Sequence, residues 1–128
     1  MAKSILIVDD ELHIRILLEQ TLEDLEDEGV ELLMASNGEE ALKIIKEEKP
    51  DLVFLDVMMP KMNGFEVCRT VKDELKLHDT YITLLTAKGQ EFDKTKGLEM
   101  GANLYMTKPF HPDEILHKAI EVLGLDIL

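Results

Sequence analysis

Cysteine is almost absent: Cys68 stands alone, so the chain has no internal disulfide and suits a reducing compartment. Basic residues are scarce too, 14 Lys and Arg against 27 Asp and Glu, for a formal net charge of −13. That balance argues against a general binder of the nucleic-acid backbone and against docking on anionic lipid. No apolar run approaches the ~20 residues needed to span a bilayer. The N-terminus, Met1-Ala2-Lys3-Ser4, leads straight into a strand-like run without signal-peptide architecture. Low-complexity segments, linkers and a fixed-period repeat are also missing, which excludes a solenoid. The expectation is a cytoplasmic protein whose residues 1–128 make one domain with no membrane contact.

What is present is the material of a globular fold. Of the 128 residues, 45% are apolar and 32% charged, and a chain this long buries roughly two-thirds of its unfolded surface. Apolar runs alternate with helical patterns five times. Ser4–Val8, Glu31–Ala35, Asp51–Leu55, Tyr81–Leu85 and Asn103–Met106 read as strands, short and nearly continuous in apolar residues, as in a sheet covered on both faces. A helix is expected from about Glu11 to Glu28, with Ile14, Leu17, Leu18, Thr21, Leu22 and Leu25 on its inner face and Gly29 as its stop. Asn37, with Glu40 three residues on, caps a second helix that Pro50 prevents from continuing. Phe65, Cys68, Val71 and Leu75 mark a third. The fourth, about Glu91 to Met100, is poor in apolar residues. The last opens on Pro112 and turns Ile115, Ala119, Val122 and Leu123 inward. Five βα units with short links predict a doubly wound α/β fold, a parallel sheet with helices on both faces.

In such a sheet the functional crevice lies beyond the carboxyl ends of the strands. Asp9, Asp10 and Glu11 follow the first strand, Asp56 the third, Thr86 and Ala87 the fourth, and Thr107, Lys108 and Pro109 the fifth. Three aspartates, a hydroxyl and an ammonium therefore converge on one rim. Grouped carboxylates repel one another, and a hard divalent cation resolves the conflict. Three Asp, one Mg²⁺ and Lys108 sum to zero charge, so an incoming phosphoryl group meets a neutral site. A carboxylate there can act as a nucleophile and form an aspartyl phosphate, with Thr86 and Lys108 stabilising the phosphoryl oxygens.

Five segments carry a family resemblance. Ile5-Leu6-Ile7-Val8-Asp9-Asp10-Glu11, Leu55-Asp56-Val57-Met58-Met59-Pro60 with Asn63-Gly64, Leu85-Thr86-Ala87, Gly97-Leu98-Glu99 with Gly101-Ala102, and Lys108-Pro109-Phe110 resemble the response-regulator receiver domain of two-component signalling. The resemblance runs from about Ser4 to Leu123. It implies strand order 2-1-3-4-5, five helices, and phosphorylation of Asp56 by a sensor histidine kinase or histidine phosphotransfer protein. It implies Mg²⁺ held by Asp10, Asp56 and the Met58 carbonyl, with Asp9 acting through water. It makes Thr86 the switch hydroxyl, Lys108 and the Ala87 N–H phosphoryl contacts, and Tyr105 the aromatic whose rotamer follows Thr86. It also implies a cis Lys108-Pro109 bond, and an output read by a downstream protein or an attached output domain, no such domain fitting after Leu123.

Plainer readings exist for each residue. Acids at strand ends can simply cap the helices that follow, although Asp56 precedes no immediate helix. Thr86 and Ala87 taken alone are ordinary loop residues, Tyr105 is half-buried packing, and Cys68 is a small core residue. His13, His78, His111 and His117 lack ligand spacing and are expected at the surface. Leu12 and Ile16 point away from the inner face of the first helix. They are either scattered exposed residues or a docking patch beside the rim for the phosphodonor. A small Mg²⁺-dependent phosphohydrolase would need a second Asp two residues after the nucleophile, where Met58 stands, so turnover of a free substrate is not expected. A nucleotide or flavin carrier would need an anion-binding loop where Asp9-Asp10-Glu11 lies.

Overall fold

A computed structural model of the chain describes residues 3–60, 62–86 and 94–126. Five strands, β1 Ser4–Val8, β2 Glu31–Ala35, β3 Leu52–Asp56, β4 Tyr81–Thr86 and β5 Leu104–Thr107, form one parallel sheet in the order β2-β1-β3-β4-β5. The helices are α1 Leu12–Leu22, α2 Gly38–Glu48, α3 Gly64–Arg69, α4 Lys94–Glu99 and α5 Pro112–Leu123. This is the doubly wound α/β architecture expected from the alternation of runs.

The two-residue period of the strands divides the interior into two cores. Leu6, Val8, Val53, Leu55, Ile82 and Leu84 face α2 and α3, where Ala41, Ile45, Phe65, Val67, Cys68 and Val71 meet them. Ile5, Ile7, Leu52, Phe54 and Leu85 face α1 and α5, against Leu18, Leu22, Ile115, Ala119, Ile120 and Leu123. Strands β1 and β3 are buried along their whole length, which explains why they read as unbroken apolar runs.

Local chemistry sets the ends of the elements. The Asn37 side chain accepts the Glu40 N–H at 2.8 Å and opens α2, and Asn63 accepts the Glu66 N–H at 3.0 Å and opens α3. Helix α1 is shorter than its periodicity suggests. It ends at Leu22 and passes into a 3₁₀ segment, Glu23–Glu28, closed by Gly29 at φ 83°. Acids crowd that segment with no base in its last turn, and negative charge at a helix C-terminus opposes the macrodipole. Leu25 stays buried, but Leu17, expected on the inner face, is 40% exposed. On α5, Val122, expected inward, is only half-buried, and Ile120 is buried beside Ile115, Ala119 and Leu123. Helix α3 leads into a π-helical turn, Thr70–Glu74, in which the Leu75 N–H reaches the Thr70 carbonyl at 2.8 Å. The extra residue turns Lys72 inward beside Val71, and its ammonium donates to the Thr80 and His78 carbonyls.

Candidate functional site

The carboxyl end of the sheet brings the expected rim together. Register pairs Val8 with Leu55 and Asp56 with Leu85, and Thr86 with Thr107, so residues just beyond β1 lie beside the end of β3 and those beyond β5 beside the end of β4. Asp9 follows β1 and is fully buried; Asp10 is exposed. Asp56 closes β3 and is 4% exposed. One carboxylate oxygen from each of Asp9, Asp10 and Asp56 lies within 4.8 Å of the others.

Asp9 is held from several sides. Its Oδ1 accepts the Glu11 N–H at 2.9 Å in the turn before α1, whose N-cap, Glu11, makes no side-chain capping bond, and its backbone carbonyl accepts from Arg15 Nη1 at 2.6 Å. Its Oδ2 accepts from the Lys108 ammonium at 2.9 Å, and the same ammonium donates to Asp56 Oδ1 at 3.2 Å. Lys108 is set by the backbone: its N–H donates to the Thr86 carbonyl at 2.6 Å, and the Lys108-Pro109 bond is cis, as expected. Past Asp56 the chain folds sharply back. The Val57 N–H reaches the Leu85 carbonyl at 2.9 Å and the Gly64 N–H reaches the Val57 carbonyl at 2.9 Å. A Cβ at residue 64 would lie 2.5 Å from the Asp56 carbonyl oxygen, so only glycine closes this turn against the Asp56 peptide.

The electrostatics are unbalanced. Burial, then the Asp9 charge and more weakly that of Asp10, push the Asp56 carboxyl up to about 7 against the opposing pull of Lys108. Burial alone would depress the Lys108 ammonium, but the Asp9 hydrogen bond and the two carboxylate charges outweigh it and hold its pKa above the ordinary value. One ammonium therefore leaves a cluster of three carboxylates short of positive charge. Hard oxygen donors at this spacing, short of cation, fit a small divalent ion.

The remaining expected residues fall as follows. The Thr86 side chain is fully buried at the end of β4. Tyr105 sits half-buried on β5, in register with Leu84. Met58 lies in the turn after β3 and is 58% exposed. Ala87 lies outside the described residues. Leu12 and Ile16 are 61% and 40% exposed on α1, whose first turn stands next to Asp9 and Asp10. His13, His78, His111 and His117 are all exposed, and Cys68 is buried in the core. The sequence reading missed Arg15. Its only signal was a position one turn beyond Glu11, from which a long side chain can fold back over the rim.

A family described as the response regulator receiver domain matches residues 5–120. The chain is 51% identical over 115 residues to the alkaline phosphatase synthesis transcriptional regulatory protein PhoP of Bacillus subtilis, covering 90% of this chain and 46% of that protein. It spans about half the length of the curated relatives it matches. Among solved structures, the CheY-like receiver domain protein of Methanospirillum hungatei is 31% identical with a TM-score of 0.84, covering 97% of this chain and 95% of that one. The chemotaxis response regulator CheY4 of Vibrio cholerae is 33% identical with a TM-score of 0.81, covering 95% and 99%.

Proposed function

Because the chain belongs to the response regulator receiver domain family, we propose that it takes a phosphoryl group onto Asp56 from a histidine on a sensor kinase or phosphotransfer protein. The observation that carries this reading is the convergence of the Asp9, Asp10 and Asp56 oxygens beside the Lys108 ammonium. An Asp56 oxygen attacks phosphorus. The O–P bond forms as the P–N bond to the donor breaks, and the imidazole leaves with the electron pair and takes up a proton. Lys108 already touches Asp56, so its ammonium stands where charge develops on the phosphoryl oxygens. The Thr86 hydroxyl and the Ala87 N–H are the further donors to that group. Asp10, Asp56 and the Met58 carbonyl would hold Mg²⁺, with Asp9 through water, and the bound ion supplies the charge neutralisation that lets the phosphoryl group approach three carboxylates.

The product is the modified protein itself. Met58 stands where a phosphohydrolase would need a second acid, so the chemistry is self-modification followed by slow hydrolysis. Drawing Thr86 and Lys108 toward the phosphoryl group, with Tyr105 following Thr86, shifts a pre-existing equilibrium of the surface formed by α4, β5 and α5. A downstream protein or an attached output domain reads that surface. The likeness to transcriptional regulators about twice as long favours a transcriptional output. Leu12 and Ile16 form the docking patch for the donor. The net charge of −13 and the lack of any long, apolar described helix agree with action in the cytoplasm, without direct nucleic-acid or membrane contact by this region.

Intact mass after incubation with acetyl phosphate and Mg²⁺ tests the chemistry. The unmodified chain gains the mass of one phosphoryl group and Asp56→Asn gains none. A folded protein that stays unlabelled with Mg²⁺ present, or an Asp56→Asn variant labelled equally, overturns the reading.

A further inference from the structure

Helix α4 rests on the sheet through a point without a side chain. Gly97 is buried in the middle of α4, a position where glycine disfavours a helix relative to alanine. Space accounts for it. A Cβ at this position would come 2.8 Å from Leu84 Cδ1, 3.1 Å from Tyr105 Cδ2 and 3.3 Å from Phe65 Cε1. Leu84 and Tyr105 are register partners on β4 and β5, so the bare turn of α4 lies directly across the strand pair that ends in Thr86 and Thr107.

The three neighbours differ in how they can yield. Leu84 is fully buried, and Phe65 is 6% exposed with the Lys96 ammonium 5.0 Å from its ring centroid. Tyr105 is half-buried on the edge strand. An added methyl meets Leu84 Cδ1 first, at 2.8 Å, and because Leu84 and Phe65 are enclosed it lifts the helix off the strand pair and carries with it the tyrosine ring, which alone has an open side to move into.

We propose that Gly97 is a positioning residue that seats the Tyr105 ring beneath α4, making the position of the helix and the rotamer of the ring a single variable. This rests on the receiver reading above and extends it by naming the contact through which α4 and β5 move together. Packed contacts of this kind are bistable, so a small displacement at one element is passed whole to the other.

The chain has no tryptophan and 2 tyrosines, so a Tyr81→Phe background leaves Tyr105 as the sole tyrosine emitter. Acrylamide quenching of its emission, with and without beryllofluoride and Mg²⁺, reads the exposure of the ring. Gly97→Ala should raise quenching in the unliganded protein by about twofold and shrink the change on adding beryllofluoride by about threefold or more. Phosphoryl uptake from acetyl phosphate should stay within about twofold of the background protein, because nothing at Asp56 or Lys108 is altered. Should Gly97→Ala lose its cooperative thermal transition, Gly97→Ala/Leu84→Val takes its place. The shortened Leu84 removes the tightest overlap and leaves the one with the ring. Quenching and response identical to the background protein overturn the proposal. Failure of both proteins to take up phosphoryl counts against the receiver reading instead, and the quenching of the unliganded pair still decides the contact.

Discussion

Thr83 carries the one buried side-chain polar atom without a hydrogen-bond partner among the described residues. It sits fully buried in the middle of β4, opposite Phe54, on the strand face that it shares with Leu85 and the core against α1 and α5. An unsatisfied buried hydroxyl costs about 1–3 kcal/mol, whereas a methyl of the same shape costs nothing there. Thr83→Val is therefore expected to raise stability by about 1 kcal/mol, seen as a higher urea midpoint at unchanged m-value. A lower midpoint would mean that the hydroxyl has a partner after all. Lys72 shows the other way to bury a polar group. Burial depresses its pKa, yet its ammonium is satisfied by the Thr80 and His78 carbonyls and ties the loop before β4 to the π-helical turn. The residues that depart from a plain apolar interior thus divide into two kinds. Some are paired for structure, like Lys72. Others, like Asp9 and Asp56, are crowded in a way that packing alone does not require.

Among the elements, α1 carries apolar residues on its outer face as well as its inner one. Leu18 and Leu22 are buried in the sheet core, while Leu12 and Ile16 are open beside the aspartate rim. Ile16→Asp should leave stability within about 0.5 kcal/mol, since the site is exposed and belongs to neither buried core. The same change should slow phosphoryl transfer from the cognate histidine donor by about tenfold, as expected for an apolar anchor at an interface, and leave labelling by acetyl phosphate unaltered. Equal slowing with both donors would instead mark a folding defect. The strands and the convergence of Asp9, Asp10, Asp56, Thr86 and Lys108 were legible in the sequence, because a two-residue period and a parallel order place strand-end residues on one rim. What was not legible depended on contacts distant in sequence or on competition at element ends. The acids of Glu23–Glu28 override an apolar period that runs on to Leu25. The π-helical turn buries a lysine, a residue type that reads as surface from sequence alone. Arg15 reaches a backbone carbonyl, and no pattern of residue types records that.

At the scale of the whole molecule, the excess of negative charge and the aspartate cluster respond to cations by different laws. A formal charge of −13 makes the folded chain repel itself, and any salt relieves this by screening, with no dependence on a particular side chain. A bound divalent ion acts by mass action, stabilising by about 2.7 kcal/mol at a hundred times its dissociation constant. At roughly 3–5 °C per kcal/mol for a domain of this size, that is a shift well above the error of a thermal scan. At matched ionic strength, then, MgCl₂ should raise the melting temperature several degrees beyond NaCl. Asp10→Asn should remove this surplus while leaving the NaCl response intact. Without Mg²⁺ the same variant should melt above the unsubstituted protein, because it takes away a charge that opposes ionisation of Asp56 and leaves Lys108 to pair with Asp9 and Asp56. Stability gained by deleting a rim carboxylate, at the expense of the response to Mg²⁺, is the signature of side chains held together for chemistry. Equal melting temperatures in the two salts would mean that the three carboxylates meet without holding an ion, with the Lys108 ammonium paired to Asp9 and Asp56 alone.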